Sequence, residues 1–193
     1  MDFIMNFDFS ILDFIANNIR SEFLDPIMTA FSLFAHNGIG WAVLALILLI
    51  PRKTRPAAAT ALVAMVIALV LGQFVLKGLV PRLRPFEVYE NYHSSPMPFT
   101  LNMGKATGNS FPSVHTCFSF AFAAAMFKWC KTAGIISLIA ALIVGFSRLY
   151  NYVHFPTDIL AGIVVGLISA AIAAFIFSKF NFDEKLLKNR KKN

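Results

Sequence analysis

The chain has 193 residues, a length suited to one domain, and 58% of them are hydrophobic, with 21 phenylalanines among them. That composition places it among integral membrane proteins. The net charge of +7 does not mark a nucleic-acid binder, because the basic residues sit mostly between and after hydrophobic stretches, where they set membrane topology.

In chain order, Asp2, Asp8 and Asp13 occupy the region where a signal peptide would carry positive charge, so the N-terminus does not read as one. Residues 9–20 have an amphipathic pattern suited to lying on the membrane surface or covering a bundle. Residues 25–51 are apolar but interrupted by His36-Asn37-Gly38. Each half is too short to cross a bilayer, which takes about 20 residues, so the region reads as one kinked passage, with a hairpin as the alternative. Further passages are expected at 57–78, 113–130, 132–151 and 157–178. The expected fold is an all-α integral membrane helical bundle of five or six transmembrane helices plus the N-terminal amphipathic helix. It forms one domain over 1–193, with a core at 57–178 and a basic cytoplasmic tail at 179–193. Cys117 and Cys130 would share one helix, about 20 Å apart by helical rise, so they cannot pair. No Cys/His spacing suggests a metal.

Charge gives the bundle a direction. Arg52, Lys53 and Arg55 follow the kinked passage, Lys128 and Lys131 separate the third and fourth apolar stretches, and Lys179, Lys185, Lys188, Arg190, Lys191 and Lys192 fill the tail. These residues share one face, which the positive-inside rule assigns to the cytoplasm of a plasma (inner) membrane. The opposite, extracytoplasmic face receives the segments near 77–85, 110–115 and 147–158, and the N-terminus if 25–51 crosses once. The stretch from Phe86 to Phe111, with Pro96, Pro98, Gly104 and Gly108, reads as a long loop over that face.

Those three segments hold the polar residues that an apolar chain places at a cost. Lys77 and Arg84 are seven apart, which is two turns of a continuous helix, and could converge on one anion. Pro81 would kink this stretch and Pro85 would end or turn it. The bland alternative is that both snorkel at the interface, as Arg82 is expected to do. Pro112 and Ser113 precede an apolar helix, with Pro112 suited to its first turn and the free N–H groups suited to phosphate. His115 lies within one turn, placed to donate a proton. A helix cap and a buried hydrogen-bonded histidine would explain the same residues. Ser147 and Arg148 end one passage, His154 lies in a short loop, and Asp158 follows four residues later at a helix start. The carboxylate can reach one ring nitrogen and leave the other free to attack. Otherwise Asp158 only complements its helix N-terminus and His154 is a surface residue.

The segments KGLVPRLRP at 77–85, PSVH at 112–115 and SRLYNYVHFPTD at 147–158 together resemble the type 2 phosphatidic acid phosphatase (PAP2) superfamily. The family pattern is Lys-x6-Arg-Pro, Pro-Ser-Gly-His and Ser-Arg-x5-His-x3-Asp. The first and third match fully, and the second has Val114 where the family usually has Gly. The resemblance implies a phosphohistidine on His154, orientation by Asp158, and protonation of the leaving oxygen by His115. Lys77, Arg84, Ser113, the backbone at Val114 and Arg148 would hold the phosphate. It implies no cofactor and no Mg²⁺ requirement. The implied substrate is a lipid phosphate in the bilayer, and the chain resembles the bacterial undecaprenyl diphosphate phosphatases of this superfamily, which serve cell-wall synthesis. Phosphatidylglycerophosphate, phosphatidate or lipid A would fit the same site, and a lipid phosphotransferase is the alternative activity. Gly162 and Gly166 read as close packing within the bundle, with a homodimer contact as the alternative.

Overall fold

Among the described residues of the computed structural model, 3–93, 104–180 and 182, every regular element is helical. Helix α1 spans Phe3–Asn18, α2 spans Leu24–Phe34, α3 spans Ile39–Leu48 and α4 spans Arg55–Leu79. They are followed by α5 at Pro85–His93, α6 at Val114–Trp129, α7 at Lys131–Tyr150 and α8 at Pro156–Lys179. Pro96 and Pro98 of the expected loop, and Lys185, Lys188, Arg190, Lys191 and Lys192 of the tail, lie outside the described residues.

Helices α4, α7 and α8 are long and apolar enough to cross a membrane, and α2 with α3 makes a fourth such unit bent by 45°. Their outer faces carry Val66, Phe74, Ile136, Ile139, Leu142, Leu160, Val164 and Phe175, an apolar exterior suited to lipid and not to water. The bend in α2–α3 falls at His36-Asn37-Gly38, as expected from the sequence. Asn37 and Gly38 have φ of 49° and 73°, a left-handed step that no α-helix continues through.

Helix α6 is the axis of the bundle. Eleven of its 16 residues are buried, so it has no amphipathic stripe; it is enclosed by α4, α7 and α8. Alanines 57, 61, 64 and 68 of α4 and the small face of α8 bring the neighbouring backbones close to it. Gly162 and Gly166 thus meet α6 of the same chain, as the within-bundle reading expects.

Four local expectations are corrected. Lys77 and Arg84 are not on one continuous helix: Val80 is extended, at φ −121° and ψ 86°, because the following Pro81 disfavours the helical conformation, so α4 stops at Leu79. Pro85 does not end that stretch but opens α5, where its missing N–H costs nothing, so the expected long loop is partly helical. Pro112 lies before the N-cap Ser113 and not in the first turn of α6. Cys130 sits between α6 and α7 in extended conformation and not on a helix; both cysteines are free.

Helix α1 covers the bundle. It turns Phe3, Phe7 and Phe14 outward and buries Asp8, Leu12 and Ile15. A side chain at Gly166 would place its Cβ 2.7 Å from the Cys117 carbonyl oxygen and 2.9 Å from the Ala121 nitrogen. Gly166→Val is therefore expected to cost about 1–3 kcal/mol, the usual scale of overpacking. The check is thermal unfolding in detergent, with Gly78→Ala as control, since nothing lies within 4 Å of that position. An unchanged midpoint for Gly166→Val would refute this packing.

Candidate active site

The ends of α4, α6, α7 and α8 that meet at one pole of the bundle carry all three polar segments. His154 lies in the five-residue turn 151–155 between α7 and α8, and it is 2% exposed. Its Nδ1 lies 3.5 Å from Asp158 Oδ2, a facing contact longer than an ordinary hydrogen bond. Asp158 occupies the first turn of α8, and its carboxylate is fully buried. Oδ2 accepts the Phe155 N–H at 2.8 Å and the Ser110 hydroxyl, and Oδ1 accepts Arg82 Nη1 at 2.7 Å. The carboxylate is thus anchored on three sides and turned toward the imidazole on the fourth.

Arg84 is 4% exposed and reaches across the pole. Its Nε donates to Gly108 O at 3.0 Å, Nη1 to Val153 O at 2.9 Å and Nη2 to Thr107 O at 2.9 Å. It therefore ties the chain ahead of α6 to the His154 turn, and three of its five N–H donors already have partners. Glu87, in the first turn of α5, accepts the Arg84 backbone N–H at 2.7 Å. Arg148, at the C-terminal end of α7, is 3% exposed and donates to Ser32 Oγ at 3.1 Å. Ser32 Oγ also lies 2.9 Å from Ser147 Oγ, so α2 helps to hold this cation. Lys77 follows a π-wound segment, Val70–Leu76, whose wide turns shift it around the axis relative to an unbroken α-helix.

Ser113 caps α6 with its backbone but not with its side chain. Its N–H donates to the Asp158 carbonyl oxygen at 3.1 Å, and its Oγ accepts the Thr116 hydroxyl at 3.0 Å. A capping role therefore does not account for the hydroxyl. Val114 packs into the apolar core beside Gly72, so its side chain is occupied within the bundle. His115 Nε2 is buried with no hydrogen-bond partner among the described residues, an arrangement that calls for a ligand. The His115 ring lies 5.8 Å from that of His36 at the α2–α3 bend.

Charge ties these side chains together. Arg148 and Lys77 act on His115, and Arg84 and Arg148 act on Lys77. Burial first, and then the fields of Arg148 and Arg84, hold His154 down to about 3, with Asp158 acting in the opposite direction. The seven residues expected from the sequence, with the backbone at Val114, are thus gathered at one pole. Among the described residues, no three His, Cys, Asp or Glu side chains are grouped to hold a metal ion.

Sequence reasoning missed Arg82, Ser110, Thr157 and Asp8. Arg82 does not snorkel: it pairs with Asp158 at 2.7 Å and with Asp8 at 2.6 Å. The available signal was Asp8 itself, a carboxylate set between Phe7 and Phe9.

Residues 57–182 match the PAP2 superfamily. The chain is 30% identical over 135 residues to the bacitracin transport permease protein BcrC of Bacillus licheniformis, covering 70% of this chain and 63% of that protein. It is 35% identical over 131 residues to an undecaprenyl-diphosphatase of Sulfolobus acidocaldarius, covering 65% of this chain and 58% of that protein. It therefore spans less than two thirds of the length of either curated relative. Its fold is similar to that of LpxE from Aquifex aeolicus, with a TM-score of 0.73 and 25% identity, covering 87% of this chain and 94% of the other.

A histidine held at about 3 binds no proton in the folded protein at pH 5, whereas the unfolded chain, with its ordinary value of 6.5, does. Stability is therefore unaffected above pH 6.5 and falls below it, by about 1.4 kcal/mol per pH unit, until pH reaches about 3. His154→Gln removes this titration. Acidification from pH 7 to 5 is expected to destabilise the wild type by about 2 kcal/mol more than the variant. Equal losses in detergent melting curves would contradict the burial of a neutral His154.

Proposed function

We propose that this chain, which belongs to the PAP2 superfamily, is a membrane lipid phosphatase working through a phosphohistidine on His154. The observation that carries the reading is the buried His154, its Nδ1 turned to Asp158, under the fields of Arg84 and Arg148. Asp158 fixes the tautomer, so Nε2 is the attacking atom. Nε2 forms a bond to phosphorus as the bond to the lipid-side oxygen breaks, and His115 gives that oxygen a proton. Water then attacks the phosphohistidine, losing its proton to His115, and phosphate leaves. Lys77, Arg84, Arg148, the Ser113 hydroxyl and the first N–H groups of α6, Val114 included, hold the phosphoryl oxygens. In phosphoryl transfer such fixed charge supplies most of the catalysis. These cations take the charge-neutralising part that Mg²⁺ plays elsewhere, so the reaction needs no added metal.

The favoured substrate is undecaprenyl diphosphate, cleaved to undecaprenyl phosphate and phosphate. The similarity to an undecaprenyl-diphosphatase supports this choice. An apolar cavity of about 330 Å³, lined by Phe31, Phe34, Trp41, Leu44 and Ile136, also supports a lipid substrate. It flanks the α2–α3 bend, and Trp41 Nε1 donates to Ser119 Oγ, which in turn donates to the His115 carbonyl oxygen. Counting α2–α3 as one passage and α6 as another gives five spans. Arg52, Lys53, Arg55, Lys128 and Lys131 fall at the pole opposite the site, which supports an extracytoplasmic active site in the plasma membrane.

The test is phosphate release from undecaprenyl diphosphate in detergent with excess EDTA. Wild type is expected to turn over, and His154→Ala to lose at least about a thousandfold. Equal release by both proteins would exclude His154 as the nucleophile. Loss of wild-type activity in EDTA would exclude the metal-independent mechanism.

A further inference from the structure

Asp158 is linked through Arg82 to a second carboxylate, Asp8, from outside the family-matched residues. Arg82 donates from Nη1 to Asp158 Oδ1 at 2.7 Å and from Nη2 to Asp8 Oδ2 at 2.6 Å. Asp8 is fully buried in α1. It also accepts the Thr157 backbone N–H at 3.0 Å through Oδ1 and the Thr157 hydroxyl at 2.6 Å through Oδ2. Arg82 Nη1 lies 2.7 Å from the same Thr157 hydroxyl oxygen, and its guanidinium stacks 4.0 Å over the Phe155 ring. Phe9 meets the edge of that ring at 5.4 Å. Both terminal nitrogens and one face of Arg82 are thus committed, and Asp8 sits at the N-terminus of α8, where negative charge is favoured.

We propose that Arg82 and Asp8 are positioning residues that fix the Asp158 carboxylate against His154, making helix α1 a working part of the active site. The proposal rests on the reading of His154 as nucleophile. A buried carboxylate with one wall open would rotate between hydrogen-bonding partners. Here Ser110 and the Phe155 N–H hold Oδ2 and, among the described residues, Arg82 holds Oδ1. Arg82 is itself aimed by Asp8. Helix α1, with Asp8, lies outside the family-matched residues 57–182, whereas Arg82 and Thr157 lie within them.

Arg82→Gln, Arg82→Lys, Asp8→Asn, Asp158→Asn and the double variant Arg82→Gln/Asp158→Asn test it. Turnover of undecaprenyl diphosphate is measured per folded protein, with vanadate and phosphate affinities measured by calorimetry. Vanadate takes the five-coordinate geometry of the transition state and bonds the attacking nitrogen, whereas phosphate reports only the anion pocket. Arg82→Gln is expected to lower kcat about 10- to 100-fold, the scale seen when a group orienting an active-site side chain is removed. KM and phosphate affinity stay unchanged, and vanadate affinity falls with kcat. Arg82→Lys recovers part of the loss, and Asp8→Asn shows a smaller loss of the same kind. In the Asp158→Asn background, Arg82→Gln has no further effect, because the two act as one unit. Equal losses in both backgrounds, or phosphate and vanadate affinities falling together, would overturn the proposal. So would a drop explained by the folded fraction alone, with Arg82→Lys behaving like Arg82→Gln. A wild type that binds vanadate but releases no phosphate from the lipid would refute the substrate and leave the clamp to be judged on vanadate affinity. A wild type that binds neither anion would overturn both readings.

Discussion

A carboxylate buried among apolar helices must be satisfied on every side, and Asp158 is the point where this chain meets that demand. An unpaired buried charge costs several kcal/mol, so the surrounding chain is arranged to supply donors. Ser110 and the Phe155 N–H meet one oxygen and Arg82 meets the other. His154 faces the remaining side. The loop before α6, the segment after α4, the turn before α8 and the N-terminal helix are all drawn to one pole by this group. The Ser113 N–H on the Asp158 carbonyl oxygen fastens the start of α6 to the same residue.

The rest of the bundle lets that convergence occur. Small residues on α4 and α8 let their backbones approach α6, so three helix ends come together at the site. Two of the cations there are oriented by uncharged groups. Arg84 donates to three carbonyl oxygens and Arg148 to the Ser32 hydroxyl, which orients both. Burial first, and then the fields of Arg148 and Arg84, keep the nearby His154 uncharged at neutral pH. Carbonyls and hydroxyls thus orient cations within an apolar bundle, while the Asp158 carboxylate is itself balanced by Arg82.

Much of this was legible in the sequence, because apolar periodicity and charge placement act locally. The long passages, the bend at His36-Asn37-Gly38 and the gathering of Lys77, Arg84, Ser113, His115, Arg148, His154 and Asp158 could all be read from it. What could not be read depends on pairing between distant residues. Arg82 resembles any interfacial cation until Asp8, 74 positions away, is seen to bind it. The helical start at Pro85 was hidden because a proline reads equally as a stop or a first turn. The π-wound turns before Lys77, where Gly72 faces Cys117, have no local pattern that announces them.

The central claim is that His154 carries the phosphoryl group. Rapid mixing with substrate labelled in its terminal phosphate, followed by alkaline quenching and peptide mapping, tests it most directly. The account predicts label on the peptide containing His154, stable to base, lost in acid and absent from His154→Ala. Label on another residue, or a product burst in which no enzyme-bound phosphate forms, would contradict it.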